Sequence, residues 1–313
     1  MPIPTLWISR TSLLAVLITT GCGGGAERPA VDSAATAAAA APKPERVASA
    51  EGFSTPESVV YDAAQQVWFV SNINGAPSAK DGNGFISRLT SAGVVDSLHF
   101  VQGGRGGAKL DAPKGLTITG DTLWVTDIDM VRGFNRTTGA PVATIDFRKK
   151  ALFLNDITAV NDGSLILTDT GIIIADSITH PGPDRIFRVR GRTITIAAEG
   201  AHLQGPNGVV WDEAGKRIIM VPFAGTTIFT GMEGSGAMPL ALGPGQHDGV
   251  VVLDGRILVS SWADSSVSEI GANGFTKVIT GVPSPADIGL DAGGRRLAIP
   301  LFTENRVEIW KLP

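Results

Sequence analysis

The chain has 313 residues, 43% hydrophobic and 18% charged, with a formal net charge of −4. That balance suits a globular protein with a large core and leaves no basic footprint for nucleic acid. A lone cysteine, Cys22, excludes an intrachain disulfide and a cysteine-built zinc site, and 39 glycines set between short apolar runs point to an all-β chain rich in turns.

Residues 1–21 read as an export signal. Arg10 is the positive flank, and Leu13 to Ile18 is an apolar core too short to span a bilayer. Thr19-Thr20-Gly21-Cys22 resembles a bacterial lipobox, with Thr19 where leucine is usual. The resemblance implies a signal of the lipoprotein kind, lipidation of Cys22 and a lipid anchor in the membrane. Gly23 follows, and the aspartate that retains lipoproteins at the inner membrane is missing, which implies the outer membrane of a bacterial cell envelope, facing the periplasm. Residues 22–44 are Gly-, Ala- and Pro-rich and lack the branched and aromatic residues that build a core, so they read as a flexible tether.

From residue 45 to 313 the pattern is strand, turn, strand, with apolar runs bounded by Gly, Asp, Asn or Pro. One sentence is written six times. A polar turn enters a short apolar strand, and a second strand follows after a tight turn. Gly205-Pro206-Asn207-Gly208-Val209-Val210 before Arg217 to Val221 is the clearest copy. The others open at Pro56, Pro113, Leu154, His247 and Pro285. A repeat of about 40 residues with four strands is a propeller blade, so the expected fold is a six-bladed β-propeller with insertions in blade one (72–84) and blade three (171–183). The last blade supplies three strands, and a strand near Arg46 to Ser49 is expected to complete it and close the ring, since an open edge would remain otherwise. Trp68, Trp124, Trp211 and Trp262 are expected between blades, in the core.

The entry turn of each innermost strand lies at one mouth of the central channel, so equivalent residues of different blades converge there. The second residue of each copy is Glu57, Lys114, Asn155, Asn207 and Asp248 in the first five. The sixth reads as shifted, with Ala286 in that place and Asp287 beside it. Glu57, Asn155, Asn207 and Asp248 are all oxygen donors. That set suits one hard divalent cation, Ca²⁺ first and Mg²⁺ or Mn²⁺ next, and not structural zinc.

These turns, with Phe153-Leu154-Asn155-Asp156, Gly205-Pro206-Asn207-Gly208 and His247-Asp248-Gly249-Val250, resemble the senescence marker protein/gluconolactonase/luciferin-regenerating enzyme family over about residues 53–313. The resemblance implies a divalent metal held by Glu57, Asn207 and Asp248, with Asn155 on metal or substrate and Asp248 as catalytic base. It implies hydrolysis of a small-molecule lactone or ester. Phe153 stands where the family often carries a substrate-gripping arginine, and Lys114 is a substitute cationic contact. The alternative is a non-catalytic propeller that binds a ligand or protein at the same mouth. A monomer is expected. His247, beside Asp248, reads as a solvated turn histidine, and Asp127 and Asp169 as ordinary turn residues or as part of the channel rim.

Overall fold

The structure is a computed structural model that describes residues 42–231, 236–272 and 274–313. The export signal, Cys22 and most of the tether lie outside the described residues.

Six four-stranded antiparallel sheets follow one another along the chain. Blade one is Pro56–Asp62, Val67–Asn72, Phe85–Thr90 and Val95–Gln102. Blade two is Pro113–Thr119, Thr122–Asp127, Met130–Asn135 and Pro141–Asp146. Blade three is Leu154–Ala159, Leu165–Asp169, Arg185–Arg190 and Thr193–Glu199, and its insertion forms a small hairpin of Ile173–Ile174 and Ile178–Thr179. Blade four is Pro206–Asp212, Arg217–Pro222, Thr227–Gly231 and Met238–Leu242. Blade five is His247–Leu253, Arg256–Ser261, Ser266–Gly271 and Gly274–Thr280. Blade six is Gly289–Asp291, Arg296–Leu301 and Arg306–Lys311, completed by the N-terminal strand Glu45–Glu51.

The ring closes because chain ends pair. Glu45 to Glu51 lies antiparallel on Lys311 to Arg306, with a bulge between Arg46 and Ala48 that leaves Val47 exposed. Arg46 also pairs with Glu308 at 2.8 Å. The Arg46 side chain is about half exposed, so the closure rests on the backbone ladder and on Ala50 in the core, not on that ion pair.

Each blade buries both faces, so its middle strands read as continuous apolar runs. Neighbouring residues of one strand then serve opposite interfaces. Trp68 and Val70 pack with Ala298, Val307 and Ile309 of blade six, while Phe69 packs with Leu116, Leu123 and Phe134 of blade two. Four further clusters repeat this between the successive pairs of blades round to blades five and six. Trp68 is fully buried as expected, and Trp124 is packed against the cluster of blades two and three. Trp211 is half-buried with its indole N–H on Glu213, and Trp262 stands at the channel mouth.

Candidate functional site at the channel mouth

The innermost strand of each blade opens with the same irregularity. In blades one to five the first residue pairs, and the ladder resumes out of step at the fourth. The second and third residues are thus freed from the sheet, as a β-bulge does when it re-aims side chains. Blade six does the same: Pro285 bridges Leu301 and the ladder resumes at Gly289 on Ala298, one residue out of step. The sixth copy is therefore in register. Ala286 is its second residue, and Asp287 is a third residue, alongside Ser58 and Asp156.

The freed backbone groups find partners in hydroxyls of the second strand. Ser71, Thr168 and Ser260 accept the N–H of Ser58, Asp156 and Gly249. Thr126, Thr168 and Ser260 donate to the carbonyls of Asn155, Asn207 and Ala286 in the following blade, at 2.5, 2.5 and 2.9 Å. One hydroxyl thereby fixes two blades at the mouth. The sequence pattern Val70-Ser71-Asn72, Val125-Thr126-Asp127, Leu167-Thr168-Asp169 and Val259-Ser260-Ser261 carried this signal.

The third residues face the next blade closely. A Cβ on Gly208 would lie 2.2 Å from the Asp248 carbonyl, and one on Gly249 would lie 2.3 Å from the Ile288 nitrogen. Only glycine fits there. Where the third residue is an aspartate, its carboxylate ties the blades instead. Asp156 accepts from the N–H groups of Ile157 and Val209, both at 2.6 Å, and Asp287 accepts from the Ser58 hydroxyl at 2.5 Å. Below lies a channel cavity of about 170 Å³ walled by valines and isoleucines, with Asp156 and Asp287 at its polar end.

At the mouth, Glu57, Asn155, Asn207 and Asp248 are each at most 6% exposed. Each carries a buried oxygen with no hydrogen-bond partner: Glu57 Oε2, Asn155 Oδ1, Asn207 Oδ1 and Asp248 Oδ1. Four orphaned acceptors on four blades are costly unless something cationic or protic meets them. Asn155 is oriented for it, because its Nδ2 donates to Thr170 Oγ1, which donates onward to the Pro206 carbonyl. The donor set fits a hard cation by type. It is two carboxylates and two carboxamides; among the described residues no three His, Cys, Asp or Glu side chains are arranged as metal ligands.

Burial and like charge act together on the mouth carboxylates. Burial first, then Asp248 and Asp287, push the Glu57 carboxyl well above its usual range. Burial and Asp287 do the same to Asp248, opposed by the Trp262 indole beside it. Asp156 is raised by burial and Asp287, and Asp287 is pushed up to about 7 by burial against its Ser58 hydrogen bond.

Lys114 and Phe153 meet each other. Lys114 Nζ donates to the carbonyls of Pro77 and Ala112, both at 3.0 Å, and sits 4.2 Å from the Phe153 ring centroid. Burial pulls its pKa down to about 8, against the attraction of Glu57 and Asp127. Pro77 belongs to the blade-one insertion, whose Ser78 hydroxyl accepts the Ile174 N–H of the blade-three insertion, so the two insertions meet. Asp127 and Asp169 are turn anchors, each accepting two backbone N–H groups just ahead of the innermost strand of its own blade. His247 is fully buried, lies against Phe275, accepts the Gly245 N–H, and is pulled down to about 4 by burial.

Neither a protein-family model nor a curated protein sequence matches the chain. Solved structures do match in fold. A putative gluconolactonase superposes with a TM-score of 0.62 at 16% identity, covering 86% of this chain and 92% of that one. A gluconolactonase from Xanthomonas campestris, described as important in glucose secondary metabolic pathways, gives the same score and identity over 86% and 89%. A catalytically inactive His-to-Ala variant of virginiamycin B lyase from Staphylococcus aureus, with quinupristin, gives 0.55 at 14% identity over 87% and 99%. The shared property is the six-bladed propeller.

Proposed function

We propose that the chain is a divalent-metal-dependent hydrolase of lactone or ester type, similar to gluconolactonases. The observation that carries this is the ring of four orphaned oxygens on Glu57, Asn155, Asn207 and Asp248. Those residues would hold one cation, with Ca²⁺ first by donor type and Mg²⁺ or Mn²⁺ as alternatives. When bound, the cation supplies polarisation of the scissile carbonyl and stabilisation of the oxyanion.

The chain's own residues do the rest. Asp248, fixed at the mouth beside the other ring residues, accepts the proton of the attacking water through a carboxylate oxygen. Thr170 fixes the Asn155 carboxamide so that Oδ1 meets the site. The serine and threonine hydroxyls of the second strands hold the ring residues in place. His247, the histidine of the ring strands, is buried against Phe275 and held neutral, so it takes no part in this reading.

We also propose the lipid-anchored form, through Cys22, in the bacterial envelope. Cys22→Ser should release the protein from the membrane fraction or block its processing, read by fractionation and intact mass. The activity is tested by a lactone and aryl-ester hydrolysis screen on cation-loaded protein, with and without chelator. Turnover that chelator abolishes supports the hydrolase. Tight cation binding with no turnover of any ester or lactone overturns it in favour of a binding propeller.

A further inference from the structure

The residue after the second strand of each blade also forms a ring at the mouth: Ile73, Ile128, Thr170, Phe223, Trp262 and Phe302. In five blades its backbone N–H closes the same loop, for example Phe223 on the Gly205 carbonyl at 2.8 Å, Trp262 on Gln246 and Phe302 on Ser284, both at 3.0 Å. Equivalent hydrogen bonds place equivalent side chains. Three successive blades put aromatic rings there, and the rings touch. Phe223 and Trp262 meet edge-on with centroids 5.5 Å apart, and Trp262 and Phe302 meet at 5.2 Å. All three are half-exposed, whereas Ile73 and Ile128 beyond Phe302 are buried beneath it.

The shelf is joined to the chemistry at one residue. Trp262 stands beside Asp248 and perturbs its carboxyl, yet the buried indole Nε1 of Trp262 has no hydrogen-bond partner of good geometry. Buried indole N–H groups ordinarily find one. A donor aimed at Asp248 but held outside good hydrogen-bond geometry is free to turn to a polar atom of a ligand. The same ligand would then lay its remaining bulk against Phe223, Trp262 and Phe302. On the opposite side of the mouth Lys114 is spent on two carbonyls and the Phe153 ring, so among the described residues it offers no free cation to a ligand.

We infer that the mouth recognises an uncharged ester or lactone bearing an aromatic ring, which stacks on the Phe223–Trp262–Phe302 shelf while its carbonyl side lies at Trp262 Nε1 and Asp248. Apart from Trp262 Nε1 the shelf presents ring surface only, which favours an aromatic ring over a polyhydroxylated chain. This names the substrate class and rests on the hydrolase reading of the same site.

The test separates the two. A δ-lactam is not turned over, so its binding reports recognition alone. Cation-loaded protein is titrated with δ-valerolactam and with its phenyl-substituted analogue, following the heat of binding by calorimetry. The phenyl compound should bind saturably and about tenfold tighter or more, the worth of burying one aromatic ring against others. Trp262→Leu should erase that advantage, and Trp262→Phe should keep most of it while weakening both lactams through loss of the indole N–H. Equal affinity of the two lactams for the unsubstituted protein overturns the inference, with no variant needed. If the phenyl lactam binds tighter but neither parent lactone is hydrolysed, the shelf stands and the hydrolase reading falls.

Discussion

One hydroxyl decides which end of Asn155 meets the mouth. Thr170 Oγ1 takes the Nδ2–H and hands its own proton to Pro206, leaving Oδ1 free. Thr170→Val removes no ligand, yet should weaken cation affinity by letting the carboxamide rotate, which calorimetry with Ca²⁺ would read. Asp248→Asn is nearly isosteric and removes both a charge and the proton acceptor. It should weaken the cation and abolish hydrolysis with the fold intact; equal cation affinities for Asp248→Asn and the parent would mean Asp248 is a turn residue. Phe153 illustrates a residue whose role only the fold reveals. Its ring lies under Lys114, so Phe153→Arg would bury two cations in contact and cost several kcal/mol of stability. Adding Lys114→Met should recover most of that loss, because the two sites share one partner. Urea denaturation of the single and double variants would show it; additive losses would mean the contact carries no energy.

At the scale of strands, the closing segment and the hydroxyl struts are the two devices that make six hairpin sheets one ring. Deleting residues 45–50 exposes the edge of Arg306–Lys311 and takes Ala50 out of the core, so the melting temperature should fall. Deleting residues 23–40 should leave it unchanged; identical melting of both truncations would contradict the closure. Thr168→Val strips the partner of the Asp156 N–H and of the Asn207 carbonyl together, and should cost about 1–3 kcal/mol per buried group left unpaired. The blades and the four mouth residues were legible because a repeat with a turn at a fixed place converts sequence position into ring position. The closing strand was legible for the opposite reason, a blade one strand short. Three things were not. Asp287 reads as a slipped copy of the mouth residue until the bulge shows that Pro285 pairs with Leu301 in step with Pro56 and Asn72. Trp262 reads as core, since apolar strands lead up to it; but the strand ends at Ser261, one residue early. Phe223, Trp262 and Phe302 have no common residue type across six blades, so no pattern marks them.

On the whole-molecule scale, the ring places carboxylates from four blades, Glu57, Asp156, Asp248 and Asp287, where burial raises all four and the charge of Asp287 raises the other three further. Their folded-state pKa values lie above the unfolded ones, so the folded state binds more protons. Their stability contribution is therefore full at low pH and lost as pH rises through the folded values. Two other buried groups act in the opposite sense. Lys114, lowered to about 8, costs stability as pH falls from its ordinary value towards 8, and His247, lowered to about 4, costs stability as pH falls below its ordinary 6.5. Between pH 8 and 6.5 both oppositions fade, Lys114 being half titrated at the upper limit and His247 at the lower, while Asp287 at about 7 titrates in mid-window, and with four raised carboxylates against two opposing groups the carboxylates set the sign. Chelated protein should therefore melt at a higher temperature at pH 6.5 than at pH 8. A cation among Glu57, Asn155, Asn207 and Asp248 neutralises the same charge, so Ca²⁺ should raise the melting temperature most at pH 8 and flatten the pH slope. By mass action the gain is about 2.7 kcal/mol at a hundredfold excess over the dissociation constant. Calorimetric melts at the two pH values, with chelator and with Ca²⁺, decide it. A chelated protein equally stable at both would mean the four carboxylates do not sense one another across the ring. An unchanged slope on adding Ca²⁺, Mg²⁺ or Mn²⁺ would mean that the orphaned oxygens wait for a proton-bearing ligand instead of a cation.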